Sequence, residues 1–584
     1  EGGWLELKDG KLTGSCDRQM GFPAFRINPP IVPITVDATV TDGVITGTCT
    51  VNGKPGKVKG NIQTEEQLVA KNPIPKDKNW PSFMGVTNGG VTAMPTGVAM
   101  VDSLNQAQFV WRSEERVGNN LGAVTRFMQS WKDASTLRTS GNSSSPMLAD
   151  GRLFIHQRIP AGTDFKLTST IGSSKMDMAA VKAAGFDEIP WYVKEKLLTR
   201  ADEVITAMDA STGKTIWRAI LPLRAPNIQY HKDRGGDRTP VVVGNTLVCI
   251  GYSGGLFAFD TATGKPLWEA KAGTGYNPAL VGAGDVVVAP AAKGGSWAGY
   301  DVATGKLLWT LPGTLCSGTL TTWRHEDKTY VLVVSASGIK RYGTYGDKFA
   351  VSCVEAVSGK VAWKIPIPYA AMVCGVTVYG DTMLVEERKV VEAKTDAAGA
   401  VVPEVKQADP EAMGDSNQLT AYTLSPTGAE KRWSVPANLH ADSQPLVMHD
   451  RWVVAISREM GKATTHQVID IDTGKVVSTI TGPGPDNGGY VQAMEDMVFV
   501  RRDGTHGIIE FITYRVDKDG KITSLSPELW KPTAGASLST GYHHPIMYPV
   551  VDGRIFIRQN DGIYCYDLRK PVTPKVATMI DGAK

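Results

Sequence analysis

The sequence predicts an all-β protein built as an eight-bladed β-propeller, with seven blades as the alternative. Two recurring patterns favour this fold: a hairpin motif repeats along the chain, and a strand-opening motif precedes it in register. The hairpin motif is Asp-x-x-Thr-Gly-Lys-x-x-Trp, with an apolar strand on each side. Its Thr-Gly pair provides a tight turn, because Gly readily adopts a positive φ. A β repeat of roughly 40 to 50 residues is typical of four-stranded propeller blades.

The hairpin motif is clear in its first four copies and degenerate in the later ones. The clear copies are Asp209–Trp217, Asp260–Trp268, Asp301–Trp309 and Glu355–Trp363. The later copies are Thr423–Trp433, which is longer, Asp470–Lys475, where Ser478 replaces the Trp, and two faint ones at Asp517 and Asp567. A Trp that recurs in every blade serves the repeat, so we expect it to pack between neighbouring sheets.

A blade-opening strand precedes each hairpin, usually by about 22 residues, and often begins at a Pro. Eight openings accompany the eight hairpins, which predicts eight blades; seven would follow if the faint copy near residue 517 is not a blade. The openings are Ser145-Pro146, Thr239-Pro240, Asn277-Pro278, Ser317-Gly318, Cys374-Gly375, Gln444-Pro445, Val491-Gln492 and His544-Pro545.

The chain divides into a short leading domain and a long propeller. Residues 1–72 alternate apolar and polar residues between Asp-Gly and Asn-Gly turns, which predicts a small antiparallel β-sandwich or half-barrel. Residues 73–79 have the composition of a linker, and the propeller occupies 80–584. We expect a helical insertion at about 157–203, from the spacing in 175–185 and 191–200, and a solvated loop insertion at about 386–417.

Composition excludes several classes of protein. The net charge of +3 implies no polyanionic partner, so we predict no nucleic-acid binding. No run of about 18 apolar residues exists, which argues against a transmembrane segment. The chain begins at Glu1 without Met or an apolar leader, as either a processed secreted protein or an artificially trimmed chain would. We therefore expect an extracytoplasmic location: the periplasm, the outer-membrane surface or the medium.

The seven cysteines are an odd number, so at least one is unpaired. Cys16 and Cys49 end two copies of the same Asp-Gly hairpin, and either a disulfide between them or two buried thiols is consistent with this pattern. The remaining cysteines lie in strand contexts and are expected to be small apolar core residues. These are Cys249, Cys316, Cys353, Cys374 and Cys565.

Three segments resemble the pyrroloquinoline-quinone (PQQ)-like propeller superfamily, which includes quinoprotein alcohol dehydrogenases and BamB-type proteins. Trp80-Pro-Ser-Phe-Met-Gly85 is followed by a strand ending in Trp111 and then by Ser144-Ser-Pro-Met-Leu-Ala-Asp-Gly-Arg-Leu-Phe-Ile155. This order is similar to the opening of such propellers, and the resemblance covers about residues 80–575. It implies that the N-terminal strand completes the last blade and closes the ring.

The candidate binding site is the channel mouth, where residues preceding the innermost strands converge. Arg234 and Arg238 could clamp a carboxylate, or could pair with Asp233 and Asp237 in a structural loop. His543 and His544 are adjacent, so on a strand they point to opposite sides and cannot both face one metal without a bulge. The predicted mouth residues are Ser144, Arg234, Asp237, Arg238, Asn277, Ser317, Asp442, Ser443, Gln492, His543 and His544. No catalytic or metal-binding residue is predicted.

The resemblance implies two different classes of function. Quinoprotein alcohol dehydrogenases hold PQQ and calcium, commonly with a vicinal Cys-Cys disulfide and a stacking Trp, for which Trp297 would be the candidate. This sequence has no Cys-Cys pair. BamB-type chains are non-enzymatic platforms that bind proteins. We therefore predict a binding scaffold without its own cofactor, with a protein or cell-surface partner and room for a small molecule at the mouth. A quinoprotein dehydrogenase and a glycan-binding propeller are the alternatives.

Overall fold

Antiparallel β-sheets of four or five strands make up most of the structure, a computed structural model. Among the described residues, eight such sheets follow the leading domain, and we number them blades 1 to 8 in chain order. The propeller fold is confirmed, whereas the eight-blade count of the whole ring stays a prediction. The structure describes residues 4–19, 31–51, 53–61, 66–67, 74–83, 85, 91–92, 97–115, 144–165, 170–171, 174–175, 178–183, 187–188, 198–226, 239–273, 280–292, 296–315, 320–337, 348–367, 376–388, 417–437, 444–457, 463–485, 489–503, 509–525, 530, 547–559 and 562–570.

The leading domain contains one antiparallel sheet in the order β1-β2-β3-β4-β5. One face is the core, with Val36, Ala38 and Cys49 buried and Val40, Ile45 and Val58 packed against them. The predicted antiparallel strands are observed as a single sheet, and the sandwich or half-barrel domain at 1–72 stays a prediction. The strands are β1 Trp4–Lys8, β2 Lys11–Gln19, β3 Ile31–Thr41, β4 Val44–Val51 and β5 Lys54–Asn61.

Blades 1 to 4 follow the predicted repeat, each with its strands in sequence order apart from an extra pairing in blade 4. Blade 1 comprises β8 Met147–Ala149, β9 Arg152–Phe165, β12 Leu198–Asp209 and β13 Thr215–Pro226. Blade 2 comprises β14 Val241–Val243, β15 Thr246–Ile250, β16 Leu256–Asp260 and β17 Pro266–Ala270. Blade 3 comprises β18 Val281–Ala283, β19 Val286–Pro290, β20 Trp297–Asp301 and β21 Leu307–Thr310. Blade 4 comprises β22 Thr314–Leu315, β23 Thr321–His325, β24 Lys328–Ser337, β25 Lys348–Glu355 and β26 Val361–Ile367.

Blades 5 to 8 have the same arrangement, and segments from the start of the propeller join the last two. Blade 5 comprises β27 Thr377–Tyr379, β28 Thr382–Arg388, β29 Asn417–Ser425 and β30 Gly428–Pro436. Blade 6 comprises β31 Leu446–Met448, β32 Trp452–Ser457, β33 Ala463–Asp470 and β34 Val476–Pro485. Blade 7 comprises β35 Gly489–Met494, β36 Met497–Asp503, β37 Ile509–Val516, β38 Ile522–Ser524 and the added strand β6 Val91–Thr92. Blade 8 comprises β39 Val550–Val551, β40 Arg554–Gln559, β41 Gly562–Asp567 and the added strand β7 Gln108–Arg112.

The ring closes through β7, as the resemblance implied. β7 pairs antiparallel with β41, which joins a strand from before blade 1 to the final blade. A 3-10 turn at Leu104–Gln106 precedes β7. A propeller that closes in this way buries the edge that its last sheet would otherwise expose.

The insertion in blade 1 differs from the predicted helical excursion at 157–203. Strand β9 continues to Phe165 and β12 begins at Leu198, so both ends of this range are strand. Between them lie a small hairpin and a short helix. The hairpin pairs two strands of two residues each, β10 Thr170–Ile171 and β11 Ser174–Lys175, and the helix is Met178–Ala183. Helical spacing identified the helix, but at 198–200 pairing with β9 and β13 overrides it.

The loop insertion predicted at 386–417 also has strand at both ends. Residues 386–388 belong to β28 and residue 417 opens β29. Residues 389–416 lie outside the described part of the chain.

The Asp and Thr of the hairpin motif act together as a cap. In blade 2, Oδ1 of Asp260 accepts hydrogen bonds from the backbone N–H and hydroxyl of Thr263, at 2.8 and 2.7 Å. These bonds lower the pKa of the Asp260 carboxyl. Gly264 follows with φ +69°. The spacing of the motif therefore follows from one carboxylate satisfying the turn, and Asp209, Asp301 and Asp470 make the same contacts.

The Trp of each motif locks its blade to the next one. The Trp268 Nε1–H donates to the Val302 carbonyl at 2.8 Å, and its ring lies over Gly305. A Cβ on Gly305 would lie 2.4 Å from Cε3 of Trp268, so no side chain fits there. Trp217, Trp309, Trp363 and Trp433 donate to the following hairpin in the same way. The expected packing between sheets is thus observed.

In blade 6, a Trp on a different strand takes the place of the missing motif Trp. Ser478 occupies the motif position, and Trp452 of β32 supplies the indole instead. Its Nε1–H donates to the Lys518 carbonyl at 3.0 Å, and its ring approaches Gly520 of blade 7. The degenerate copy therefore keeps the blade-to-blade contact although its sequence lost the motif.

The disulfide considered between Cys16 and Cys49 is not formed. Cys49 is a free, buried thiol. Strand β3 separates the two strands that carry the cysteines, because Cys16 is opposite Ile34 and Cys49 is opposite Val36. Two strand spacings of about 4.8 Å each exceed the reach of a disulfide. The prediction of buried core thiols is confirmed for Cys249, Cys353 and Cys565, whereas Cys316 and Cys374 lie outside the described residues.

Within the residues described, no helix has both the length and the apolar character needed to cross a membrane.

Candidate functional site

Only two of the predicted mouth residues, Ser144 and Gln492, lie in the described structure. Both are fully or almost fully buried. The others fall outside the described residues and remain predictions: Arg234, Asp237, Arg238, Asn277, Ser317, Asp442, Ser443, His543 and His544.

Gln492 connects blades 7 and 8. Its Nε2 donates to the Tyr548 carbonyl, and its Oε1 accepts from the Tyr548 N–H at 3.3 Å. Both ends of the amide are therefore used by one backbone unit of the neighbouring blade. This arrangement gives Gln492 an architectural role at the position where sequence reasoning expected a ligand contact.

Other opening residues form similar bonds from blade to blade. The Met547 N–H donates to the Ser145 hydroxyl at 2.9 Å, and the Ser145 N–H donates to the Thr239 hydroxyl at 3.0 Å. These two bonds connect blades 8, 1 and 2 in turn. Thr377 continues the pattern, because its hydroxyl donates to the Pro445 carbonyl of blade 6 at 3.3 Å. We call this set, with Gln492, the inter-blade belt.

A buried ionic cluster that sequence reasoning missed lies between blades 1 and 2. His156 on β9 and Glu203 on β12 are 0 % and 1 % exposed, and His156 Nε2 lies 3.0 Å from Glu203 Oε2. The other carboxylate oxygen accepts the Tyr252 N–H at 3.0 Å. The Tyr252 ring also contacts the His156 ring at 5.2 Å and the Arg158 guanidinium at 4.8 Å. Burial is favourable only with such pairing, because unpaired charge is costly inside a protein.

The cluster extends to the belt on one side and to the blade 2 core on the other. The hydroxyl of Ser144 lies 3.4 Å from the His156 backbone nitrogen, and the buried Arg558 of blade 8 donates to the Ser144 carbonyl. Cys249 in blade 2 is fully buried, and burial together with the Glu203 charge raises the pKa of its thiol. Cys249 is therefore an inert thiol rather than a nucleophile.

A second buried carboxylate lies within blade 5. Glu387 is 1 % exposed and accepts hydrogen bonds from the hydroxyls of Thr420, at 2.7 Å, and Tyr422. Burial and the neighbouring carboxylate raise the pKa of Tyr422. Lys431 lies 3.7 Å away. This carboxylate is fully engaged inside its own sheet.

A third buried polar group, between blades 6 and 7, has no charged partner in the described structure. His466 on β33 is 0 % exposed and its ring lies 4.5 Å from the Tyr514 ring of blade 7. Among the residues described, neither ring nitrogen of His466 has a hydrogen-bond partner. Burial lowers its pKa to about 4. His466 is therefore neutral at physiological pH.

The sequence contained a signal for the first cluster. Polar residues His156, Gln157 and Arg158 directly follow the apolar run Leu153–Ile155 on one strand, where core alternation predicts at least one inward polar group. Pairing with Glu203, 47 residues later, could not be foreseen without the register of β9 and β12.

The described residues do not fit PQQ and calcium. Trp297, the candidate stacking Trp, is 1 % exposed in the core between blades 3 and 4 and offers no free face. The buried carboxylates Glu203 and Glu387 lie on different blades and are engaged by protein donors. Across the described ranges, no three His, Cys, Asp or Glu side chains converge as metal ligands. Calcium needs six to eight oxygen ligands, which these residues do not supply.

Comparison with known proteins finds relatives of two kinds, BamB proteins and methanol dehydrogenase subunits. Residues 201–339 match the family model described as outer membrane protein assembly factor BamB. The BamB of Burkholderia pseudomallei is 32% identical over 114 residues, covering 18% of this chain and 27% of that protein. Methanol dehydrogenase [cytochrome c] subunit 1 of Methylorubrum extorquens is 28% identical over 192 residues, covering 28% and 29%. The matches therefore span less than a third of each curated relative.

Two solved structures are similar at low sequence identity. The quinohemoprotein alcohol dehydrogenase of Comamonas testosteroni has a TM-score of 0.46 at 13% identity, covering 89% of this chain and 85% of that one. BamB of Moraxella catarrhalis has a TM-score of 0.38 at 13% identity, covering 62% and 88%. The sequence matches over parts of the chain and the repeated four-stranded sheets support a propeller of the PQQ-like superfamily.

Proposed function

We propose that this chain is an extracytoplasmic propeller that binds a protein or cell-surface partner and works without a redox cofactor of its own. The observation that carries the proposal is the inter-blade belt. Its described polar groups bond from blade to blade, so they hold neighbouring blades together instead of facing a ligand.

The similarity to BamB over 114 residues supports a partner-binding role and an extracytoplasmic location. Blade 1 also supports it, since β9 has 14 residues where β15 has five. At about 3.3 Å per residue, the longer strand extends about 30 Å further. A rigid ring with a projecting sheet is suited to macromolecular contacts.

A PQQ- and calcium-dependent alcohol dehydrogenase is the second candidate, favoured by the similarity to a methanol dehydrogenase subunit over 192 residues. The two candidates differ in one assay. Purified protein is incubated with PQQ and calcium, and alcohol-dependent reduction of an artificial electron acceptor is recorded. We expect no turnover above a control lacking protein. Turnover that requires both PQQ and calcium would overturn the scaffold proposal.

A further inference from the structure

Among the described strands, blade 1 has the longest outer strand of the propeller. β13 has 12 residues, whereas the outer strands of blades 2 and 3 have five and four. It is the last strand of its sheet, and in the described part of the chain no strand pairs with its outer edge. Such an edge presents backbone N–H and C=O groups that can pair with a further strand.

Side-chain carboxylates occupy backbone donors at both ends of β13. The Thr215 N–H donates to Glu114 Oε2 at 3.1 Å, and the Leu223 N–H donates to Asp202 Oδ1 at 2.8 Å. Leu223 also has a φ of +54°, which interrupts the extended strand. The part of the edge that an added strand could use is therefore residues 216–222, about 20 Å long. We call these residues the open edge.

The open edge lacks the features that protect the other long outer strands. Natural sheets protect exposed edges with charged residues, with Pro or with a covering element. The outer strand of blade 5 carries Glu430, Lys431 and Arg432 in succession. The outer strand of blade 6 is partly covered, because the Ile522 N–H of blade 7 donates to Ser478 Oγ at 3.1 Å. The open edge reads Ile-Trp-Arg-Ala-Ile-Leu-Pro, with one charged residue and its Pro at the end.

The exposed face of the open edge alternates aliphatic and cationic side chains. Ile216 and Ile220 are 45% and 50% exposed, and the exposed Arg218 lies between them. Trp217 faces the other way and donates to the Thr261 carbonyl of blade 2 at 3.0 Å, which fixes the strand against that blade. An added strand would therefore place every second side chain beside Ile216, Arg218 and Ile220.

The carboxylates bonded to β13 do not pair with Arg218. Glu114 and Asp202 accept backbone N–H groups at the two ends of the strand, and Glu269 of blade 2 pairs with Arg224 at 3.0 Å. Among the residues described, Arg218 itself forms no ion pair. A carboxylate placed directly opposite it on an added strand would form a favourable cross-strand pair.

A second copy of the chain fits the open edge poorly. Antiparallel pairing of two copies with Ile216 opposite Ile220 places Arg218 opposite Arg218, and like charges directly opposite are destabilising. Shifting the register by two residues one way places Ile216 opposite Pro222, which has no N–H to donate. Shifting it the other way uses Thr215, whose N–H already has a side-chain acceptor. The geometry therefore favours a different protein as the partner.

We propose that the open edge binds an extended segment of another protein, which adds to blade 1 as a further strand. The segment carries aliphatic residues beside Ile216 and Ile220 and a carboxylate beside Arg218. This inference rests on the proposed scaffold function and names the partner chemistry for it. Main-chain hydrogen bonds would supply affinity, and the alternate side chains would supply selectivity.

The test titrates the full chain with a fluorescent peptide, Thr-Val-Thr-Glu-Thr-Val-Thr, read by anisotropy. Its sequence is the same in both directions, so Val, Glu and Val can face Ile216, Arg218 and Ile220 whichever way the strand runs. We expect saturable binding. N-methylation of the Val and Glu residues blocks one edge of the peptide, and N-methylation of the Thr residues blocks the other. At least one of the two methylated peptides should bind about tenfold or more weakly.

Variants of the open edge test the side-chain contacts. Arg218→Glu should weaken binding by about tenfold or more and should shift the preference to a peptide with Lys in place of Glu. Lys364→Glu, on the outer strand of blade 4, is its control and should change neither affinity. Ile216→Ser with Ile220→Ser should also weaken binding, whereas Val477→Ser on the outer strand of blade 6 should not. Thermal melting confirms that each variant folds.

Undiminished binding of both methylated peptides would overturn the inference, because a strand that pairs with an edge needs its N–H groups. An unchanged peptide preference in Arg218→Glu would overturn it, and so would the absence of saturable binding by the folded native chain. A native dimer in sedimentation that Arg218→Glu alters would show that a second copy occupies the edge instead. The scaffold proposal would survive these results and is tested separately by the PQQ assay.

Discussion

The seam between blades 1 and 2 and the seam between blades 6 and 7 each bury a His against a Tyr of the following blade. His156 faces Tyr252 at 5.2 Å and His466 faces Tyr514 at 4.5 Å, and both His side chains are 0 % exposed. The seams differ in one group, because Glu203 pairs with His156 and no described carboxylate pairs with His466.

The difference shows that the same blade-to-blade seam can bury either a His–carboxylate pair or a single neutral His. A buried carboxylate needs its partners, since removing one leaves an uncompensated charge. A buried neutral His needs no counter-charge but resists protonation. The seam between blades 1 and 2 is thus sensitive to loss of a partner, whereas the seam between blades 6 and 7 is sensitive to pH.

The largest effect is expected from Glu203→Ala. This change removes the acceptor of both His156 Nε2 and the Tyr252 N–H inside a closed seam. We expect a loss of about 3–5 kcal/mol in the free energy of unfolding, measured by urea denaturation. Glu269→Ala on the exposed edge of blade 2 is the control and should change stability by less than about 1 kcal/mol. Equal losses in the free energy of unfolding for the two variants would show that the buried Glu203 pair stabilises the fold no more than the exposed Glu269 pair.

The next largest effect is a pH dependence caused by His466. Its folded-state pKa of about 4 lies below the ordinary value of 6.5, so the unfolded chain takes up the proton first as pH falls. The stability contributed by neutral His466 is complete above about pH 6.5 and is lost progressively down to about pH 4. The expected loss is about 3 kcal/mol.

His466→Phe tests this dependence, because Phe keeps the ring contact with Tyr514 and cannot be protonated. Urea denaturation of the variant between pH 4 and 6.5 should give a flatter stability profile than the native chain. An unchanged slope in His466→Phe would contradict the account.

At neutral pH, the two His positions should differ in their tolerance of an apolar residue. His156→Phe leaves the Glu203 carboxylate without its ring partner and should cost about 3 kcal/mol or more. His466→Phe replaces a neutral ring with no described hydrogen bond and should cost less than about 1.5 kcal/mol. Thermal melting at pH 7.5 compares the two, and a larger loss at position 466 would reverse the comparison.

The smallest effect is expected beside His466, at Gly482. An added Cβ would lie 3.0 Å from Tyr514 Oη and 3.3 Å from His466 Nε2, so the seam must adjust slightly. We expect Gly482→Ala to cost about 1 kcal/mol. Gly428→Ala is the control, because a Cβ there meets nothing within 4 Å. Equal unfolding midpoints for the two variants would show that the His466 seam is loosely packed.

The sequence predicted the fold well because the repeat is local. In the four clear copies the acidic cap, the Gly turn and the Trp lie within nine residues, as in Asp260–Trp268, so each of these copies predicts the same hairpin. The sequence did not predict that a residue on another strand can take the place of the motif Trp. In blade 6 the motif position is Ser478, and Trp452, on a strand outside the motif, makes the contact with the next blade.

The candidate site was less predictable because its contacts join distant blades. Gln492 was correctly placed at a blade opening, but its use by Tyr548 depends on the closure of the ring. His156 and Glu203 meet through strand register, which residue spacing does not reveal. Ring closure by β7 was expected from the resemblance, and the strand bounds of the blade 1 insertion were not.

Isothermal titration of PQQ into the purified chain in the presence of calcium tests the central claim most directly. If the inter-blade belt uses the inner polar groups to hold the ring, as we propose, the titration should give no saturable heat above the heat of dilution. Stoichiometric binding that requires calcium and raises the unfolding temperature would contradict the account and identify a cofactor-binding quinoprotein.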